Sequence, residues 1–172
     1  MISIIGAGPS GSYLAYLLAR EGKKVTVFEE HDNIGRPVQC TGLVTSAIKE
    51  LIEIKDEFVV NKIKKVRVIA PNDDNVEFEL KEPNYVFDRC KFDRYVAKLA
   101  MSNGAEYIFK KKFVGFDGKK IFFNDRSVFE TDYLVGADGP LSSVAKNSGM
   151  FNGRKFMTGM QARVSGDFDK EF

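Results

Sequence analysis

The 172-residue chain has only two cysteines and one histidine, and that scarcity closes several routes. Cys40 and Cys90 form neither a CxxC pair nor a metal-ligand spacing, so a zinc site and a dithiol redox motif are both set aside. Reduced thiols in a cytosolic setting are the default over a Cys40–Cys90 disulfide. His31 follows Glu29 and Glu30 in an expected loop and reads as exposed rather than catalytic. Charge of one sign is also short: 26 Lys and Arg face 24 Asp and Glu, a net charge of +2. That balance leaves no footprint for nucleic acid, and the basic runs Lys62–Lys65 and Lys110–Lys112 read as solvated strand faces. There is no apolar run long enough to span a bilayer, no leader with a cleavage site, no repeat and no low-complexity tract. The expectation is a cytoplasmic protein without a metal, with peripheral contact to an anionic membrane surface left open.

What is present has the size of one domain, or one and a piece of another, and can bury a real core. Ile2–Ile5 is a short apolar run bounded by glycine, as a buried parallel strand requires. From Pro9 to Glu21, Tyr13, Leu14, Leu17 and Leu18 recur at helical spacing, and Gly22 closes the helix. Val25–Phe28 is a second apolar run, completing a β-α-β unit. Thr45 or Ser46 is placed to cap a short helix through Leu51. Val66–Ile69 and Val76–Leu80 flank a turn at Pro71–Asn75, the pattern of a β-hairpin within an insertion near residues 58–81. A helix is predicted over Phe92–Met101, then strands at Tyr107–Val114, Ile121–Phe123, Val128–Glu130 and Tyr133–Val135. A short helix near Ser142–Lys146 and a last strand over Phe156–Val164 follow. A β-α-β nucleus, an antiparallel insertion and a return strand argue α/β with an interrupted sheet.

GAGPSG at Gly6–Gly11 fits G-x-G-x-x-G, a weak signal alone. Its setting strengthens it: a strand precedes it, a helix follows, and Glu29 ends the next strand. Gly6 permits the tight turn, Gly8 lets a pyrophosphate reach the backbone, and Gly11 lets helix and strand pack closely. The phosphates then meet free N–H groups and the positive end of the helix. A carboxylate at Glu29 accepts from ribose hydroxyls and repels a 2′-phosphate, which favours FAD or NAD over NADP.

LVGADGP at Leu134–Pro140 is a strand followed by a Gly-Ala-Asp-Gly turn. Asp138 thus falls at the carboxyl end of a strand, where open α/β sheets bind ligands, although Asp-Gly is also common in plain turns. Arg89, in FDRCKFDRY, offers a guanidinium that can hold a phosphate or a flavin edge. The alternative is pairing of Arg89 and Arg94 with Asp88 and Asp93 on the surface, and for Arg94 that is the preferred reading. Cys90 reads as a small apolar residue at a helix start.

GAGPSG, Glu29, PVQCTGL, DRCKFD and GADGP, in this order, resemble the geranylgeranyl reductases. These belong to the flavoproteins that include p-hydroxybenzoate hydroxylase, and PVQCTGL is the piece that separates reductases from hydroxylases. The resemblance implies a Rossmann-like FAD-binding fold of the p-hydroxybenzoate hydroxylase and glutathione reductase type, with an antiparallel β insertion. It implies FAD as cofactor, with Gly6, Gly8, Ser10, Gly11 and Glu29 holding its ADP half. Val114 would offer backbone contacts near the adenine, and Asp138 with Gly139 would lie near the ribityl or pyrophosphate region. Cys40, Thr41 and Gly42 would approach the flavin end, and Arg36 and Arg89 would contact the cofactor. Cys40 is the candidate for a catalytic role, beside the simpler reading that it only packs there. The implied reaction saturates C=C bonds of geranylgeranyl chains in archaeal ether lipids or related prenyl diphosphates. With no second dinucleotide fingerprint, a protein electron donor such as ferredoxin is the expected partner.

Such reductases are about twice this long. They carry a third flavin motif, a strand followed by Gly-Asp-Ala, and a substrate half, and neither occurs in this sequence. The chain is therefore expected to be an amino-terminal portion, apparently truncated. Its FAD-binding domain would be residues 1–150, and residues 151–172 the start of an incomplete substrate domain. Two other readings remain: a flavin-dependent aromatic hydroxylase of the same fold, and a non-catalytic dinucleotide-binding fragment.

Overall fold

Ile4 and Ile5 are adjacent in the chain, yet they belong to different hydrophobic clusters. The reason is the two-residue period of a strand buried on both faces. The structure, a computed structural model, describes residues 1–162 and 165–167. The chain divides into two compact units, one comprising Met1–Pro37 and Phe92–Phe156, the other Val38–Lys91 with the segment from Met157 onward.

The first unit is built on β1 (Ile2–Ile5), α1 (Pro9–Arg20) and β2 (Val25–Phe28). After the excursion through the second unit, α2 (Arg89–Ser102) returns the chain to it, followed by β6 (Glu106–Ile108). A three-stranded meander comes next: β7 (Phe113–Asp117), β8 (Lys120–Phe123) and β9 (Val128–Glu130), then β10 (Tyr133–Gly136) and α3 (Ser143–Asn147). The parallel sheet has the order β10-β1-β2-β6, with Ile2 beside both Tyr133 and Val25.

On one face, Ile4, Val25 and Val27 meet Ala15 and Ala19 of α1 and Ala97 and Ala100 of α2. Alanine at these positions lets both helices lie close to the sheet. On the other face, Ile5 and Phe28 pack against Phe113, Ile121, Phe123 and Val144. Phe28 is completely buried, in ring contact with Phe123 and Phe129. Its burial contributes on the order of 1.5–3 kcal/mol. The expected α/β class, with an antiparallel insertion, is what the chain adopts.

The second unit contains β3 (Leu43–Val44), two short 3-10 turns, and a long hairpin of β4 (Val59–Ile69) and β5 (Asn75–Phe87), in the order β3-β5-β4. The hairpin is longer than the sequence pattern suggests. Pro83 falls where the pairing slips between Ile63↔Asn84 and Lys65↔Glu79. Such an irregularity accommodates a residue without an N–H. The helix expected after Thr45 forms as a 3-10 turn over Ser46–Glu50, with no side-chain cap from Thr45.

Two expectations need correction. The single strand at Tyr107–Val114 is two strands in different sheets, β6 and β7. Between them Lys110 takes a φ of 59°, with Lys110 N–H donating to the His31 carbonyl and Lys111 N–H to the Glu29 carbonyl. Neither glycine nor asparagine marks this turn; Lys110–Lys112 interrupt the apolar pattern, but a basic run also suits a solvated strand face. The strand expected over Phe156–Val164 does not form across residues 156–162, and residues 163 and 164 lie outside the described residues. A strand needs a ladder partner; here Phe156, Met157 and Met160 stand exposed instead. Among the described residues no helix is long and apolar enough to cross a membrane.

Candidate functional site

The three glycines of GAGPSG answer to different constraints. A Cβ on Gly6 would sit 2.4 Å from the Ala137 carbonyl oxygen, and Gly6 has a φ of 102°. A Cβ on Gly11 would sit 2.0 Å from the Gly6 carbonyl oxygen. Both glycines are therefore imposed by the protein's own backbone. Gly8 is not: its backbone is extended, with φ −67° and ψ 179°, and a Cβ there would meet no protein atom within 4 Å. Nothing in the chain itself requires glycine at this position.

Gly8 is also the N-cap of α1, with no side-chain cap on it and Pro9 behind it. Helix first-turn N–H groups lack intrahelical partners, and here no side chain takes their place. Ser10 is exposed in that turn, while Ser12, one turn in, is buried and its hydroxyl donates to the Ala7 carbonyl at 3.1 Å. Open space at Gly8 next to an uncapped helix end fits a pyrophosphate, which brings its own acceptors to that end.

Glu29, at the carboxyl end of β2, is held from three sides. Its Oε2 accepts from Ala7 N–H at 2.8 Å, and its Oε1 accepts from His31 N–H at 3.0 Å and lies 2.6 Å from His31 Nδ1. The Glu29 side chain is only 11% exposed against 43% for His31. The carboxylate is thus fixed beside the glycine loop, at the distance along the β-α-β unit where a ribose would lie. Sequence reasoning placed His31 correctly at the surface but missed its contact with Glu29.

Val114 belongs to β7, which among the described residues pairs only with β8 and is thus an edge of its sheet. The register slips between Phe113 and Gly115, and Val114 falls in that irregularity, 57% exposed. An edge strand presents backbone N–H and C=O groups outward, which is the kind of contact an adenine ring can use.

The GADGP turn follows β10. Ala137 N–H donates to the Ile5 carbonyl at 2.8 Å, which ties the turn to the end of β1 beside Gly6. Asp138 is half-buried and organises the start of α3: it accepts from the Ser142 hydroxyl and, at 3.1 Å, from Val144 N–H. Ser142 in turn caps the helix, accepting from Ala145 N–H at 2.9 Å. Ser142 was not singled out from the sequence, although a serine ahead of a short helix is a common cap signal. Gly139 and Pro140 are exposed, and Arg154 reaches back to donate to the Pro140 carbonyl at 3.1 Å.

Arg36 is exposed in the loop after β2, joined to Pro37 by a cis peptide. Arg94 donates through Nε to the Ile34 carbonyl at 3.2 Å, a structural contact within the first unit. In the second unit, Gly42 has a φ of 83°, and a Cβ on it would meet the Phe87 carbonyl oxygen at 2.2 Å. Phe87 N–H donates to the Gly42 carbonyl at 2.9 Å, so the PVQCTG loop is stitched to the end of β5. The half-buried Cys40 accepts from Gly42 N–H at 3.4 Å, and Thr41 is exposed. Neither cysteine forms a disulfide. Arg89 is half-buried at the start of α2. Among the described residues no cluster of three or more His, Cys, Asp or Glu could hold a metal ion.

Known proteins match this arrangement. Residues 4–41 match the NAD(P)-binding Rossmann-like domain family. The chain is 31% identical over 166 residues to an uncharacterized protein from the nifH2 5′ region of Methanosarcina barkeri, with 87% of each chain covered. It is 30% identical over 157 residues to a digeranylgeranylglycerophospholipid reductase of Methanocaldococcus jannaschii, covering 87% of this chain and 40% of that protein. Among solved structures, a geranylgeranyl bacteriochlorophyll reductase-like protein from Thermoplasma acidophilum superposes with a TM-score of 0.74 at 27% identity. That superposition covers 86% of this chain and 41% of the other. The chain spans less than half the length of the named reductases it matches. Over most of its length it is similar to the amino-terminal portion of proteins named as geranylgeranyl reductases.

Proposed function

We propose that this chain binds FAD and forms the dinucleotide-binding portion of a reductase acting on C=C bonds of geranylgeranyl chains in archaeal ether lipids or related prenyl substrates. The observation that carries the reading is Gly8, a motif glycine that no protein atom demands, beside an uncapped helix end. A cofactor phosphate in that space explains its identity. The lipid substrate rests on the names of the relatives, which are digeranylgeranylglycerophospholipid reductases.

In this reading the N–H groups around Gly8 and Ser10 bind the pyrophosphate, and Gly6 and Gly11 let the loop close tightly enough to present them. Glu29 accepts from the adenosine ribose, and the Val114 backbone meets the adenine. Asp138 holds α3 and the Gly139 turn in place near the pyrophosphate or ribityl chain. Arg36, Cys40, Thr41, Gly42 and Arg89 keep the flavin-end assignments that the resemblance gives them, and Cys40 is the candidate for chemistry. FAD held there and reduced by the electron donor would supply the hydride for one carbon of the double bond, while an acid would supply the proton for the other. A protein donor such as ferredoxin and peripheral contact with a lipid surface complete the reading.

The test is titration of the purified chain with FAD, followed by the visible flavin spectrum and by quenching of flavin fluorescence. Saturable uptake is expected. Gly8→Ala should weaken it by at least about tenfold, roughly 1.4 kcal/mol, while the melting temperature without FAD stays unchanged. A wild-type chain that takes up no FAD overturns the reading.

A further inference from the structure

The carboxylate of Glu29 does not have all its acceptor positions to offer. Each carboxylate oxygen has about two lone-pair sites. Oε1 already receives His31 N–H at 3.0 Å and lies 2.6 Å from His31 Nδ1. An ionised carboxylate only accepts, so Nδ1 carries the proton in this contact. Oε2 receives a single donor, Ala7 N–H, at 2.8 Å. One oxygen is therefore filled by His31 and the other keeps an open position.

His31 is itself anchored. Its carbonyl accepts from Lys110 N–H at 3.0 Å, and the Glu29 carbonyl accepts from Lys111 N–H at 2.8 Å. Both bonds come from the tight turn between β6 and β7, where Lys110 has a φ of 59°. The side chain of His31, with 43% of its surface exposed, is not held there by burial. Its ring stays beside Glu29 because of this backbone anchoring and the bond to Oε1.

We propose that His31 is a positioning residue for the adenosine ribose. By occupying Oε1 with two donors, it locks the Glu29 carboxylate so that Oε2 alone presents an acceptor to a ribose hydroxyl. Without the ring, the carboxylate keeps the Ala7 and residue-31 N–H groups but loses its third donor, so the glutamate side chain has more rotamer freedom to give up when the ligand binds, and that cost weakens affinity. The inference rests on the FAD reading above, and it concerns a residue outside the glycine motif.

The test measures dissociation constants for FAD, and for ADP as a probe of the adenosine half alone, by calorimetry. His31→Ala should weaken both about five- to tenfold by the same factor. His31→Asn, whose amide nitrogen can reach Oε1, should return to within about twofold of the wild type. In a Glu29→Ala background, His31→Ala should change nothing further, because the residue acts through Glu29. Melting temperatures without ligand identify any variant that fails to fold. If the wild type binds FAD and His31→Ala binds it equally well, or if the two substitutions are additive, His31 has no positioning role. If the wild type binds neither FAD nor ADP, the FAD reading itself fails, which is a separate outcome.

Discussion

Phe28 and Phe78 are both strand phenylalanines with aliphatic neighbours, but they live in different surroundings. Phe28 lies between the parallel sheet of the first unit and the meander, with no surface exposed. Phe78 sits on the long hairpin of the second unit and is 48% exposed. There, Val66 faces Phe78 and Val68 faces Val76 on one side of the ribbon, while Lys65 faces Glu79 and Arg67 faces Glu77 on the other. The first unit gains its stability from two clusters filled on both faces of a sheet. The hairpin relies on cross-strand pairs, each contributing about 0.2–1 kcal/mol. The lesson is that a short run buried on both faces, as in Val25–Phe28, marks a core strand, whereas the hairpin's alternation with charged residues marks a strand that keeps a solvated face.

The comparison breaks most sharply with one pair of variants. Phe28→Ala should cost about 3–5 kcal/mol of unfolding free energy in urea, whereas Phe78→Ala should cost less than about 0.5 kcal/mol. A large loss at Phe78 would mean that the hairpin face is covered in solution. Gly42→Ala sharpens the contrast between units. Forcing a Cβ onto Phe87 at a positive φ should cost on the order of 1–3 kcal/mol. Amide exchange should quicken in β3 and β5 while β1 and β2 remain protected. Equal loss of protection in β1 would show that the two units unfold together.

The smallest effect concerns Asp132, which joins the Met1 amine at 2.7 Å and Lys119 at 2.6 Å. The Lys119 ammonium and the Met1 amine lower its carboxyl from 3.8 to about 2. A depressed carboxyl contributes stability above its ordinary value and loses it as pH falls through the folded value. Asp132→Asn should thus lower the melting temperature slightly at pH 5–7, and the difference from wild type should fade between about pH 4 and pH 2. Asp132 and its two cationic partners lie at the surface, so added salt should shrink the difference at neutral pH as well.

Much of the candidate site could be read in advance because its constraints are local. A glycine loop between a strand and a helix, with an acid at the end of the next strand, needs only about thirty residues to declare itself. The GADGP turn and the short helix behind it were legible for the same reason. The contacts that organise them were not. Gly6 is imposed by Ala137, 131 positions away, and Asp138 serves the start of α3 as well as the turn it belongs to. His31 was read as a surface residue because exposure follows from composition, whereas its bond to Glu29 depends on how the loop is anchored.

The sequence by itself determined the β-α-β nucleus, the hairpin, the two helices that cover one face of the parallel sheet, and the family resemblance. Periodicity and glycine chemistry are written residue by residue, so they survive without a partner. The tertiary structure decided where Tyr107–Val114 divides between two sheets, and that the apolar stretch from Phe156 forms no strand through residue 162. It also decided which motif glycine is left open to a ligand. Those outcomes depend on which distant segment supplies a hydrogen-bond ladder or a carbonyl at close range. Backbone groups are alike in almost every residue, so the choice of partner leaves little mark on the local sequence.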